Sequence, residues 1–150
     1  MSHTDYDYLI VGYGLAGSVL SYQLAQCGKK LLIIDTFNSN SSSQVAAGLV
    51  NPVTGRRVVK SWMADVLIPF AEDFYQRLEK EFGEPFYHTM DVLEVVHTNK
   101  DLNEWTSRTG EIEMKKYFTK EAPEDLYKNN INEFKKMIRI SSSEIGRAHV

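Results

Sequence analysis

A single cysteine among 150 residues is the first scarcity. With Cys27 alone, neither an intramolecular disulfide nor a thiolate zinc cluster can form, a usage that fits a reducing compartment, and Cys27 reads as a small buried hydrophobe. Cationic excess is also missing. Seventeen Lys and Arg stand against 20 Asp and Glu, for a net charge of −3. The basic pairs Arg56-Arg57, Lys115-Lys116 and Lys135-Lys136 are short and scattered. No nucleic-acid partner is expected from such a distribution. No apolar run approaches the roughly 20 residues that span a bilayer. Asp5 and Asp7 precede the first apolar run and no basic leader is present, so the expectation is a cytoplasmic protein with no secretory signal and no membrane span.

Glycine is sparse overall but concentrated early. Nine glycines occur in the chain, and Gly12, Gly14 and Gly17 lie within six positions, directly after the apolar run Tyr8 to Val11. That run suits a parallel strand buried on both faces. Behind the glycines, Ala16, Val19, Leu20, Leu24 and Cys27 recur at helical spacing, and Gly28 followed by Lys29 and Lys30 marks a helix stop. Leu31 to Ile34 forms a second apolar run. Two strands joined by one helix make a βαβ unit with a right-handed crossover.

In this context the pattern G-x-G-x-x-G carries a physical demand. Gly12 permits the tight turn out of the strand, Gly14 removes the Cβ that would hold a pyrophosphate off the backbone, and Gly17 allows close helix–strand packing. Leu15 and Ala16 open a helix whose N-terminal N–H groups and dipole favour phosphate. Asp35 follows the second strand, 18 residues beyond Gly17, where a carboxylate can accept the hydroxyls of an adenosine ribose and disfavours a 2′-phosphate. An adenine dinucleotide is the expected ligand. FAD and NAD share the ADP half and are not separated by this fingerprint.

The following loop is more discriminating. Residues 41–52, "SSSQVAAGLVNP", place small side chains where a flavin ring system can approach the backbone. Here the sequence resembles the FAD-dependent oxidoreductases of the D-amino acid oxidase and glycine oxidase superfamily, most specifically over residues 6–56. The resemblance implies that Ser42, Ser43, Ala47, Gly48 and Leu49 contact the flavin side of FAD. It implies oxidation of an amine or amino acid substrate by hydride transfer to flavin, with hydrolysis of the resulting imine. The implied architecture is α/β. Residues 1–58 form an incomplete Rossmann-type βαβ FAD-binding domain, and residues 59–143 form part of an inserted α+β substrate domain. The family's later elements, which complete the parallel sheet, are absent, so the chain reads as an N-terminal fragment. Two other readings compete: an NAD-linked dehydrogenase and a non-catalytic dinucleotide-binding module. The carotenoid cyclase and hydroxylase type of flavoprotein shares the first fingerprint but fits "AAGLVNP" less well.

Beyond residue 60, apolar positions step by four from Trp62 through Val66, Phe70, Phe74, Leu78 and Phe82, ending at Gly83. This predicts a long helix with an aromatic core stripe. Strand character is expected within residues 86–97 and 134–140, and helix over Asp101 to Arg108. Arg56 and Arg57 are candidates for phosphate or carboxylate binding, because guanidinium pairs bidentately with such anions, and equally suit an exposed turn. His88 and His97 lack a second ligand set or nucleophilic partner and read as structural or surface residues, with no metal site. Ile145 to Val150 match the translation of a common short-read sequencing adapter. Residues 144–150 are therefore set aside as a sequencing scar.

Overall fold

The computed structural model describes residues 5–54, 57–118 and 136–145, the last as backbone together with the Ile140 side chain. It is a mixed α/β structure of two compact units, residues 1–47 and 48–150.

In the first unit, β1 (Tyr8–Val11) pairs in parallel with β2 (Leu31–Ile34), Tyr8 opposite Leu31 and Val11 opposite Ile34. Parallel strands require a crossover, and helix α1 (Leu15–Gln26) supplies it. The α1 helix stops at Cys27, and Gly28 adopts φ +73°, the left-handed conformation that suits glycine after a helix end. Cys27 is exposed at this cap rather than buried as the sequence suggests, because the helical face it continues ends there. The strands also depart from expectation. Only Ile10 of β1 is buried, while Val11 is 78% and Ile34 53% exposed. Continuous apolar runs normally mark strands covered on both faces, and these two lack that cover within the described residues. A short helix, α2 (Ser42–Val45), closes the unit.

The second unit is built on an antiparallel sheet of order β3-β7-β6, in which β3 is Leu49–Val50, β6 is Tyr87–Val96 and β7 is Lys136–Ile145. The β6–β7 ladder is unbroken over ten pairs, from Tyr87 opposite Ile145 to Val96 opposite Lys136. The final strand thus runs past the expected end at Ile140 and includes Glu144 and Ile145; residues 134, 135 and 146–150 lie outside the described residues. A small hairpin, β4 (Val53–Thr54) with β5 (Val59–Lys60), leads into α3 (Ala64–Phe82). Helix α4 (Asn99–Thr109) starts at Thr98, whose hydroxyl oxygen accepts the Asp101 N–H at 3.1 Å.

Val53, Val58, Ala64, Val96, Trp105, Met114, Tyr117 and Ile140 form the core. Trp105 meets Phe118 edge-on at 5.4 Å. Outside this core, Phe74, Tyr75, Leu78 and Tyr87 are also buried, Phe74 meeting Tyr75 edge-on at 5.3 Å and the Tyr75 and Tyr87 rings stacking at 5.5 Å. The aromatic stripe expected to be buried along α3 is therefore split. Phe74 is buried, whereas Phe70 and Phe82 are more than half exposed, since the helix lays only part of its apolar circumference on the sheet.

A polar cluster ties the start of α3 to the 3₁₀ turn Lys115–Tyr117. The Asp65 carboxylate takes Lys116 Nζ at 2.8 Å, Lys60 Nζ at 2.9 Å and a hydrogen bond donated by the Tyr117 hydroxyl. These donors, Lys116 foremost, hold Asp65 far below the usual carboxylate range. Lys60 also reaches Glu113 at 3.2 Å.

Candidate functional site

The glycine-rich turn between β1 and α1 is the most specific local geometry in the first unit. Gly12 has φ +94°, a conformation rare for residues with a Cβ, and its N–H donates to Ile34 O at 2.8 Å. This bond ties the turn to the end of β2. At Gly17 the constraint is steric: an added Cβ would lie 2.0 Å from the Gly12 carbonyl oxygen. Backbone cannot yield to such an approach, so glycine there lets α1 seat against β1, where Ile10 Cγ2 would be 3.7 Å from the same Cβ. Gly14 occupies the helix cap with no side chain over the first turn of α1. A Cβ at Gly14 would come within 2.8 Å of Ser43 Oγ, the end of a movable side chain.

Asp35, immediately after β2, closes the other side. One carboxylate oxygen accepts the Tyr13 N–H, and the other accepts the Phe37 N–H at 2.5 Å. These two backbone bonds, Tyr13 first, lower its pKa from the ordinary carboxylate value and keep it ionised. Each oxygen keeps a further lone pair, so the group can still accept ribose hydroxyls. Phe37 takes φ +49°, uncommon for a bulky residue, and the residue is 79% exposed. Nothing in composition or periodicity singled out Phe37; the Asp35-to-backbone turn that bends the chain there is visible only in the structure.

Of the sequence-derived candidates, Gly12, Gly14, Leu15, Ala16, Gly17, Asp35, Ser42 and Ser43 all lie in the first unit. Ser43 is brought to the start of α1, where its Oγ accepts the Leu15 N–H at 3.0 Å. This places the serine beside the glycine turn, an association across 28 residues that spacing could not show. Ser42 opens α2 and is exposed. Ala47 is the last residue of the first unit, whereas Gly48, with φ +74°, and Leu49, paired with Glu144, begin the second. Arg57 is exposed on a turn, and Arg56 lies outside the described residues. His88 and His97 are both exposed, and among the described residues no cluster of His, Cys, Asp and Glu is arranged to hold a metal.

The residues fit an adenine dinucleotide on structural grounds. Bare backbone at Gly12 and Gly14, the N-terminus of a twelve-residue helix whose Leu15 N–H is met by the movable Ser43 hydroxyl, and an ionised carboxylate after β2 are features compatible with such a ligand. Among the described residues no helix is long and apolar enough to cross a membrane.

The chain is similar to the protein of Bacillus subtilis (strain 168) named "Uncharacterized oxidoreductase YurR", with 27% identity over 149 residues. The aligned region covers 95% of this chain and 38% of that protein, so the chain spans under two fifths of its relative's length. No family model matches the chain. No solved structure matches it.

Proposed function

We propose that the protein is part of a FAD-dependent oxidoreductase of the D-amino acid oxidase type, acting on an amine or amino acid. The observation that carries this reading is the glycine cradle itself. A Cβ at Gly17 would lie 2.0 Å from the Gly12 carbonyl oxygen, which leaves no room for a side chain, while Asp35 is anchored by the backbone of the same turn. A plain strand-to-helix connection needs neither. Similarity to a relative named as an oxidoreductase supports the redox assignment.

When bound, FAD supplies the acceptor for a hydride from the carbon bearing the amine. The chain's own residues do the holding. Backbone N–H groups at the start of α1 receive the pyrophosphate, and the Asp35 carboxylate receives the ribose hydroxyls. Ser43, already bonded to the Leu15 N–H, is placed to turn its hydroxyl toward a phosphate oxygen. The exposed Phe37 ring offers a stacking face to the adenine. By the resemblance, the segment that carries Ser42, Ala47, Gly48 and Leu49 is the one proposed to meet the flavin side of the cofactor.

The test is an absorption spectrum of the purified protein before and after heat release of bound cofactor, followed by titration with FAD and NAD. Flavin bands, lost in Asp35→Ala, are the expected result. A colourless protein that ignores FAD and gains thermal stability with NAD would replace this reading with the dehydrogenase one.

A further inference from the structure

The turn between Asp35 and α2 contains two Asn–Ser steps, Asn38-Ser39 and Asn40-Ser41, which present the same pair of residue types to solvent chemistry. Asn38, Ser39 and Asn40 are all exposed. Their backbone environments differ. Asn38 Oδ1 accepts the Asn40 N–H at 2.9 Å, while the Asn38 backbone carbonyl accepts the Ser41 N–H, also at 2.9 Å. The first bond closes a small ring through the Asn38 side chain and the Ser39 backbone, the way an asparagine folds a turn onto itself. Asn38 Cγ and the Ser39 nitrogen are members of that one ring.

This pairing sets up a reaction that needs only water and hydroxide. The Ser39 nitrogen gives its proton to hydroxide and attacks Asn38 Cγ; a new C–N bond forms, the bond to the side-chain amide nitrogen breaks, and that nitrogen takes a proton from water and leaves as ammonia. A cyclic imide remains. Water then opens it at either carbonyl, leaving aspartate or isoaspartate at this position, with no change of oxidation state.

Two features of the turn favour Asn38. Negative charge develops on Oδ1 during the attack, and the Asn40 N–H already donates to that oxygen. Among the described residues the Ser39 N–H meets no protein acceptor, so no such hydrogen bond opposes its attack. At Asn40 the nucleophile is the Ser41 nitrogen, whose N–H is engaged by Asn38 O. Asn51 is followed by Pro52, which has no N–H to lose. Asn99 and Asn103 lie within α4, where side chains tilt toward the helix N-terminus and away from the next nitrogen. We infer that Asn38 is a self-deamidating site, built into the turn that leads from Asp35 to Ser43. Either product adds a negative charge to this turn, and isoaspartate also adds a methylene to its backbone. The consequence for a bound dinucleotide rests on the reading above; the deamidation does not.

The test follows the purified protein at mildly alkaline pH, folded and in denaturant, by mass spectrometry of its tryptic peptides. One peptide, residues 31–56, carries Asn38, Asn40 and Asn51, and fragmentation separates them. In the denatured chain the two Asn–Ser steps should convert at similar rates. In the folded protein Asn38 should convert about tenfold faster than Asn40, less than a donor contributes in a closed oxyanion site because this turn is open to water. Both aspartate and isoaspartate are expected. Asn40→Pro deletes the N–H on Oδ1 and should slow Asn38 by a similar factor, whereas Asn40→Ala keeps that N–H and should leave Asn38 fast. Conversion of Asn38 no faster than Asn40 in the folded protein, the same ratio folded and denatured, or an unchanged Asn38 rate in Asn40→Pro would each overturn the assignment. If Asn40→Pro fails to fold, judged by circular dichroism, the folded and denatured ratios of the unaltered protein decide. FAD retention is read on the same samples. Fast conversion of Asn38 in a protein that never holds FAD keeps this site and removes the flavin reading, whereas FAD retention without conversion of Asn38 removes the site alone.

Discussion

Gly14 and Gly17 stand three residues apart in one motif, yet the structure assigns them different tolerances. The Cβ of Gly17→Ala would meet the Gly12 carbonyl at 2.0 Å, and that carbonyl belongs to the strand end. Gly17→Ala should therefore cost about 3 kcal/mol, the upper end for overpacking a rigid site, seen as lost amide protection across residues 5–47. Gly14→Ala meets only the movable Ser43 hydroxyl and should stay within about 1 kcal/mol while weakening dinucleotide binding. Equal losses of stability in the two variants would contradict this division. Glu79 makes a pH prediction of the same local kind. Its carboxylate accepts the Phe86 and Tyr87 N–H groups at 2.8 Å each, which lowers its pKa, the Tyr87 bond contributing most. A carboxyl depressed on folding stabilises fully above its unfolded pKa and loses that contribution as pH falls through the folded value. Asp65 behaves in the same sense. Denaturant midpoints should therefore fall as the pH drops below the ordinary carboxylate range, and Glu79→Gln should flatten part of that slope.

At the scale of elements, α3 illustrates how sequence pattern and tertiary contact divide the work. Its period and its stop at Gly83, φ +74°, are readable from spacing and a single glycine. Its start is not: Ala64 rather than Trp62 begins the helix, after Met63 in a left-handed conformation. Pro69 lies past the first turn, where it removes a helical bond that alanine would restore. Pro69→Ala is expected to raise stability by about 2 kcal/mol, the intrinsic helix cost of proline less its stiffening of the unfolded chain, measured by chemical denaturation. Thr98→Ala should act in the opposite direction, at about 1 kcal/mol, through loss of the α4 cap. The β6–β7 ladder shows the converse limit. "SSSEI" has little strand propensity by itself, yet Ser141 to Ile145 continue β7 because β6 presents ten successive partners.

Across the whole molecule, burial is uneven. The second unit buries Trp105 to 4% exposure, while Trp62 remains 81% exposed. Iodide quenching should resolve one accessible and one protected tryptophan, and Trp62→Phe should delete the accessible component. Two equally protected tryptophans would contradict the exposure of Trp62. Apolar residues also remain open on β1 and β2, so the first unit, residues 1–47, should exchange its amides faster than the core around Val96 and Ile140. Sequence by itself determined the βαβ order, the glycine turn and the carboxylate after β2, because strand runs, helical period and bare backbone are local properties carried by neighbouring residues. Tertiary structure alone decided that Ser43 reaches Leu15, that Asp35 is clamped by Tyr13 and Phe37, and that Asp65 gathers Lys60, Lys116 and Tyr117. Those relations join residues far apart in the chain, and side-chain burial depends on what packs over each face, which periodicity does not encode.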